Sequence, residues 1–314
     1  MKAVVFDSYG GAEVLRIAEI ESPVIGEDKI LVRVRAAAVN PKDVFIRKGR
    51  FAQWTGDAFP MQTGFDFAGE AVAVGSNAGG IQKGEPVFGM LDGWAGRTCA
   101  EFIAVTPDQL SRKPENMSFE AAAALPLASL TALQALRDEA GIADGARVCI
   151  NGASGGVGSM AVQIAGILGG SVTAISRAEN HAFLKTLGAN ECIDYRLTDI
   201  TTGRGTFDIF FDVFGNRLFE TLHSVLAPQG TWVSTVLKPE VMAAVERTKD
   251  SPGQKARLVI VRADKDDLAL VCRWAESGRI TPVIHHIYPL EEIGAAHRQQ
   301  ETKHTRGKLI ITIS

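Results

Sequence analysis

Cysteine is scarce in this chain, and the four present, Cys99, Cys149, Cys192 and Cys272, stand far apart with no C-x-x-C pair. That spacing points to neither a disulfide framework nor a structural zinc cluster, and it suits a reducing cytoplasm. Long apolar runs are lacking as well. The N-terminal "MKAVVFDSYGG" has one Lys and an apolar stretch too short for a signal-peptide core, so it reads as a first strand. The most apolar long stretch, 121–136, is interrupted by Pro126, Ser129, Thr131 and Gln134 and falls short of the roughly 18 apolar residues expected of a spanning helix, so no membrane association is expected. Charge of one sign is missing too. With 33 basic against 36 acidic residues the formal net charge is −3, and no dense Lys/Arg run is available to track phosphates, which argues against nucleic acid as a partner. Internal repeats and low-complexity tracts are absent. What is present is 314 residues with a hydrophobic fraction of 46%, enough for two packed domains and the core they need.

Up to about Pro114 the chain consists of short strand-like pieces broken by Gly, Pro and Asp: "KAVVF", "KILVRVRAAAV", "FAGEAVAVG", "PVFGM" and "AEFIAV". Apolar and charged residues alternate in "LVRVR" with period two, as in a half-buried antiparallel strand, and this half reads as a small barrel or sandwich. After Ser118, a plausible N-cap, "FEAAAALPLASLTALQALRDEAGI" is helical apart from a break at Pro126. From Arg147 strands and helices alternate: "RVCIN", a helix from Val157 to about Leu168, "SVTAIS", a helix near Glu179 to Leu187, "ECIDY", "FDIFFDVF", a helix near Phe219 to Leu226, and "GTWVSTV". Such units make a doubly wound parallel sheet, placing the protein in the α/β class. The stretch from Lys238 to Gln254 is polar and shows no clear pattern, as does that from Arg50 to Pro60. The closing segment from Asp266 reads helix, strand, helix, strand, and is expected to pack back on the first domain.

"INGASGGVGSMAV" fits two motifs at once. Gly152 to Gly156 spells G-x-S-x-G, which would present Ser154 as the nucleophile of a hydrolase. Ala153 to Gly158 spells A-x-G-x-x-G, a dinucleotide fingerprint in which Ala153 and Gly155 leave the backbone open to a pyrophosphate and Gly158 lets the helix sit close to its strand. Ser154, Gly156 and Val157 complete the phosphate-binding turn, whose free N–H groups and helix dipole attract anions. A hydrolase elbow stands well inside its sheet with an oxyanion loop of HGGG type, whereas this turn opens the alternation and no such loop follows. The fingerprint is the better reading, with the serine hydrolase kept as a remote alternative. Where NAD-binding folds place an acid about 20 residues on, the chain has Ser176 and Arg177. A cation there suits the extra phosphate of NADPH, although Glu179 stands close enough to keep NAD open, and a solvated surface Arg is the plain alternative.

Across nearly its whole length the sequence resembles the zinc-free medium-chain dehydrogenase/reductases, the quinone oxidoreductase and zeta-crystallin-like group. The matching pieces are "AAAVNPKDVFIRKG", "PMQTGFDFAGEAVAVG", "LTALQAL", "INGASGGVG", "LGANECIDYR", "PVIHHIYPLEEIGAAHR" and "RGKLIITI". The resemblance implies a GroES-like β-barrel catalytic domain from residues 1–122 and 265–314, a Rossmann domain over 123–264 that binds NADPH, and a homodimer. Zinc-bearing relatives carry Cys in the segment here reading "VNPKD" and Gly-His-Glu where this chain has Gly64-Phe65-Asp66. Both metal positions are lost, and His285 and His286, adjacent in a strand, would point to opposite faces, so no metal is expected. By the same resemblance Asn40 is the active-site hydrogen-bond donor, its alternative being a turn residue before Pro41. Thr131 is implied to contact the nicotinamide side and Tyr195 the adenosine phosphate, with plain packing as the alternative for each. Phe45 and Phe51 replace tyrosines of some relatives, which leaves solvent water to supply the proton.

Without a Lewis acid, a simple ketone would yield a strongly basic alkoxide. A quinone yields a phenolate-like anion with a pKa near that of tyrosine, about 10, and an enone yields a delocalised enolate. The expectation is therefore a cytoplasmic NADPH-dependent reductase of small quinones or α,β-unsaturated carbonyls. A 2-enoyl thioester reductase and a non-catalytic NADPH-binding sensor or structural protein are the alternatives.

Overall fold

A computed structural model describes residues 1–202 and 206–314. The chain divides into two compact units, Met1–Leu127 with Arg262–Ser314, and Ala128–Val261. In the first unit, the strand Ile30–Val39 is the centre of a mostly antiparallel sheet that runs Ile284–Pro289, Lys308–Thr312, Ile30–Val39, Asp66–Val74, Pro86–Met90, Leu110–Arg112, with Phe102–Val105 also paired to Ile30–Val39. The period-two half of that central strand behaves as its pattern requires, with Val32 and Val34 buried and Arg33 exposed. Beyond Arg35 the pattern changes, and Ala36 to Val39 are all buried, so this end is covered on both faces. Against it lies the last strand of the chain, with Leu309 to Thr312 opposite Val39 to Ala36. The closing segment forms the expected helices Lys265–Glu276 and Ile293–Glu301 and strands Ile284–Pro289 and Lys308–Thr312.

Among the described residues the second unit has six strands in one sheet: β1 (Arg147–Asn151), β2 (Ser171–Ser176), β3 (Glu191–Asp194), β4 (Phe207–Asp212), β5 (Leu226–Ser234) and β6 (Lys255–Leu258). Their order is 3-2-1-4-5-6 and every pairing is parallel. That is the doubly wound order of a Rossmann domain, in which the strand order reverses between β1 and β4. Helix α1 (Gly156–Ile167) follows β1. Phe210, Trp232, Phe219 and Leu222 pack with Cys149 into one core cluster.

Three segments differ from the sequence reading. The helix expected from Phe219 to Leu226 is only a 3-10 turn, Phe219–Leu222, because Leu226 already pairs with Phe207 in the sheet. The stretch from Lys238 contains the helix Pro239–Arg247, whose Val241 and Ala244 are buried three residues apart within the short apolar run from Val241 to Val245. The third is the 21-residue run Phe119–Glu139, which does reach the length and apolarity of a spanning helix, with an 18-residue stretch of mean hydropathy 1.4, yet 83% of that stretch is buried, as in a core helix. Ser118 caps it as expected, its hydroxyl accepting from the Ala121 N–H at 3.2 Å.

The helices Pro41–Arg47 and Ile293–Glu301 bring three titratable groups together. Arg47 is fully buried and paired with Glu301. His297 is also fully buried, and burial, helped by the Arg47 cation, pushes its pKa from 6.5 down to about 3. The folded protein thus keeps this imidazole neutral over a range in which the unfolded chain takes up a proton. The stability involved is present above pH 6.5 and is lost as the pH falls towards 3, at about 1.4 kcal/mol per pH unit. His297→Phe is therefore expected to shrink the difference in unfolding free energy between pH 7 and pH 4.5 by about 2–3 kcal/mol. Urea unfolding at the two pH values measures it, and an unchanged difference would show that His297 does not titrate this way.

Candidate functional site

At the C-terminal end of β1 the chain turns through Gly152, Ala153 and Ser154 into α1. Gly152 has φ +87°, a left-handed conformation that only glycine adopts without strain. Ala153 is buried beneath the turn, while Ser154, Gly155, Gly156 and Val157 remain half-exposed. Gly155 is the N-cap of α1 and brings no capping side chain, so the first N–H groups of the helix are offered to whatever lies in front. The glycines serve different needs. A Cβ on Gly158 would stand 2.2 Å from the Gly152 oxygen and 2.7 Å from Ala153 Cα, both backbone atoms, whereas a Cβ on Gly155 would meet only the Gly152 oxygen at 3.6 Å. Gly158 is needed for packing; Gly155 keeps the surface of the turn open. Among the described residues no histidine or carboxylate hydrogen-bonds to the Ser154 hydroxyl, as a hydrolase triad would require.

The ends of β2 and β3 bring together the residues singled out there. Arg177 Nε donates to the Tyr195 hydroxyl at 3.0 Å, and Ser176 Oγ donates to the Arg177 carbonyl at 3.0 Å. Glu179, mostly exposed, lies 3.8 Å from the Arg177 guanidinium. A second cation, Arg196, was not identified from the sequence, although it follows Tyr195 directly. It grips Asp194 at 2.7 Å and holds that carboxyl well below the usual carboxylate range. Asp194 also accepts the Ala178 N–H at 3.0 Å, which ties the loop after β2 to the end of β3. At the β1/β4 switch, Asn151 Nδ2 donates to Asp212 at 2.7 Å and to Asn216 at 2.8 Å. Burial raises the Asp212 pKa against the hydrogen bonds it accepts. Thr131 is buried on a separate element, the helix Pro126–Leu133.

In the first unit Asn40 is the N-cap residue of the helix Pro41–Arg47, but its side chain is not used as the cap. The cap is made by Asp43, which accepts the Asn40 N–H at 2.8 Å together with the Gly64 N–H at 2.7 Å and the Thr63 hydroxyl at 2.9 Å. Asn40 Nδ2 instead donates to Asp66 at 2.9 Å, with a longer contact of 3.4 Å to the Ala38 carbonyl. Lys308 donates to Asn40 Oδ1 and to Asp66 Oδ2, the latter at 2.9 Å. The sequence reading missed both partners; the available signal was a lysine opening the apolar run "KLIIT". Phe65 is buried, and Lys42 Nζ lies 4.1 Å from its ring centroid and 5.1 Å from that of Trp94. Burial lowers the Lys42 pKa. Phe45 and Phe51 meet edge to face at 6.2 Å and bring no hydroxyl.

Residues 26–115 match the family described as alcohol dehydrogenase GroES-like domain, and residues 187–311 match zinc-binding dehydrogenase. The chain is 31% identical to a chloroplast envelope quinone oxidoreductase homolog of Arabidopsis thaliana, covering 99% of this chain and 98% of that protein. It is 32% identical to the chloroplastic NADPH-dependent alkenal/one oxidoreductase of the same plant, over 99% of this chain and 79% of that one. The solved quinone oxidoreductase of Coxiella burnetii superposes with a TM-score of 0.92 at 31% identity, covering 100% of this chain and 99% of its own.

The different roles of the two glycines can be separated experimentally. Gly158→Ala forces backbone atoms apart and is expected to lower stability by about 1–3 kcal/mol. Gly155→Ala is expected to stay within about 0.5 kcal/mol of the parent. Thermal melts of both variants measure this, and equal melting temperatures would refute the assignment.

Proposed function

We propose, since the chain belongs to the medium-chain dehydrogenase/reductase family alongside the quinone oxidoreductases, that it is an NADPH-dependent enzyme passing hydride to quinones or α,β-unsaturated carbonyls without a metal. The observation that carries the cofactor assignment is the Arg177–Tyr195 hydrogen bond beside Ser176, at the end of β2. Bound NADPH supplies the hydride. The open N–H groups of Gly156, Val157 and Gly158 hold its pyrophosphate against the turn of Ala153, Ser154 and Gly155. Arg177 pairs with its 2′-phosphate through charge-assisted hydrogen bonds, and Tyr195 steadies the guanidinium from behind. Thr131 contacts the nicotinamide side.

Asn40 is assigned to the substrate oxygen on which negative charge develops. Of its two amide hydrogens, one is held by Asp66 at 2.9 Å and the other has only the 3.4 Å contact to Ala38. Lys308 draws on the Asn40 carbonyl and so strengthens the amide as a donor. Such a donor suits an anion as weakly basic as a phenolate or enolate. Solvent water supplies the proton, because Phe45 and Phe51 have none to give. Metal independence is supported by the side chains at the family's ligand positions: Pro41 and Lys42 offer no donor of the zinc-binding type, and Phe65 stands in place of histidine. The enzyme is read as a homodimer of the cytoplasm, where Cys99, Cys149, Cys192 and Cys272, all free, stay reduced.

The first test is NADPH consumption with a panel of quinones, enones and enoyl thioesters in the presence of a strong chelator. Turnover of a quinone or an enone is expected to persist. Turnover confined to thioesters, or abolished by chelation, overturns the reading. The second test is Arg177→Ala, expected to weaken NADPH about 10- to 150-fold and to leave NADH nearly unchanged. Equal losses for both cofactors in a binding titration would make Arg177 a fold contact and move attention to Glu179.

A further inference from the structure

A cavity of about 400 Å³ lies within the first unit, with Ile46, Trp54, Met61, Trp94 and Arg97 in its wall and no carboxylate lining it. The rings of Trp54 and Trp94 stack nearly parallel, 12° apart with centroids at 5.1 Å, and Phe51 packs against both at 5.6 and 4.6 Å. This makes a stiff, flat aromatic side, and Trp54 remains 46% exposed. Arg97 is one of several exposed arginines that take part in no ion pair among the described residues, as are Arg273, Arg279 and Arg298. Arg16, Arg147, Arg196 and Arg247 each close on an aspartate or glutamate. The Arg97 backbone N–H donates to Gly64 at 2.8 Å, but among the described residues its guanidinium has neither a hydrogen bond nor an ion pair. An unpaired surface arginine alone would mean little. Here it borders an aromatic pocket that holds no negative side chain, and a second cation, Lys42, lies over the Trp94 ring.

We infer that this pocket binds a flat conjugated acceptor bearing a carboxylate or sulfonate, with the ring on the Trp54–Trp94 side and the anion on Arg97. The guanidinium fork matches a planar carboxylate in two parallel hydrogen bonds, and aromatic faces favour an electron-poor ring. A cavity near the lower end of small-molecule sites takes one or two fused rings rather than a nucleotide-bearing thioester. The inference deepens the proposed function by naming the substrate class, and it rests on that reading for the ligand's turnover.

Two measurements test it. The first compares kcat/KM for 1,4-naphthoquinone-2-sulfonate with that for 1,4-naphthoquinone. Using the ratio in the parent as reference cancels the difference in reactivity between the rings. Arg97→Gln is expected to lower this ratio about tenfold, Arg97→Lys to fall between, and 1 M salt to shrink the parent's own preference. A ratio that Arg97→Gln leaves unchanged overturns the inference. The second measurement is quenching of tryptophan fluorescence by 2-naphthoate, which accepts no hydride. Saturable quenching is expected in the parent, with Kd raised about tenfold in Arg97→Gln and most of the signal lost in Trp54→Leu. If neither quinone is turned over but this binding holds, the proposed function fails and the anion pocket stands. Absent or Arg97-independent quenching removes the pocket.

Discussion

Lys308 carries its ammonium into the interior of the first unit with only 6% of the side chain exposed, and its partner Asp66 is fully buried. Charges so placed are tolerated only when paired and hydrogen-bonded; leaving one alone costs about 3–5 kcal/mol. Three contacts meet the need here: Lys308 to Asp66, Lys308 to the Asn40 carbonyl, and Asn40 Nδ2 to Asp66. The other Asp66 oxygen accepts the Leu127 N–H at 2.6 Å. The last strand of the chain is thereby fastened to the end of the central strand, and the Asn40 amide is held in one orientation. Because Asn40 opens the helix Pro41–Arg47, the same network places Lys42 over Phe65 and Trp94 and puts Ile46 in the cavity wall.

In the second unit the corresponding constraint is steric. Gly158 allows α1 to press against Gly152 and Ala153, and Gly152 takes a conformation closed to other residues. The turn is therefore tightly packed at the end of β1, where the doubly wound order leaves its crevice. Electrostatics dominate at the neighbouring strand ends. Asp194 is occupied by Arg196 and the Ala178 N–H, while Arg177 donates to Tyr195 and faces Glu179.

Much of this was legible locally. The period-two pattern of "LVRVR", the Ser118 cap, the glycine turn and Ser176-Arg177 after the second strand of the sheet all depend on a few neighbouring residues, through side-chain alternation, hydrogen-bond geometry and backbone sterics. The failures were local too, but of another kind. The five apolar residues from Val241 to Val245 are a short run inside a polar stretch, and Phe219, Leu222 and Leu226 have helical spacing although Leu226 is taken by the sheet.

The sequence by itself determined the α/β class, the glycine-rich strand-to-helix turn from Gly152 to Gly158, and the family, because each follows from short-range chemistry or from motifs in order along the chain. Only the tertiary structure decided what Asn40 does with its side chain, since Lys308 lies 268 positions away and reaches it through the register of two antiparallel strands. It also decided that Trp54, Trp94 and Arg97 share one cavity. Residues so far apart in the chain meet only once the sheets are paired, and no local propensity encodes which side chains a register will bring together.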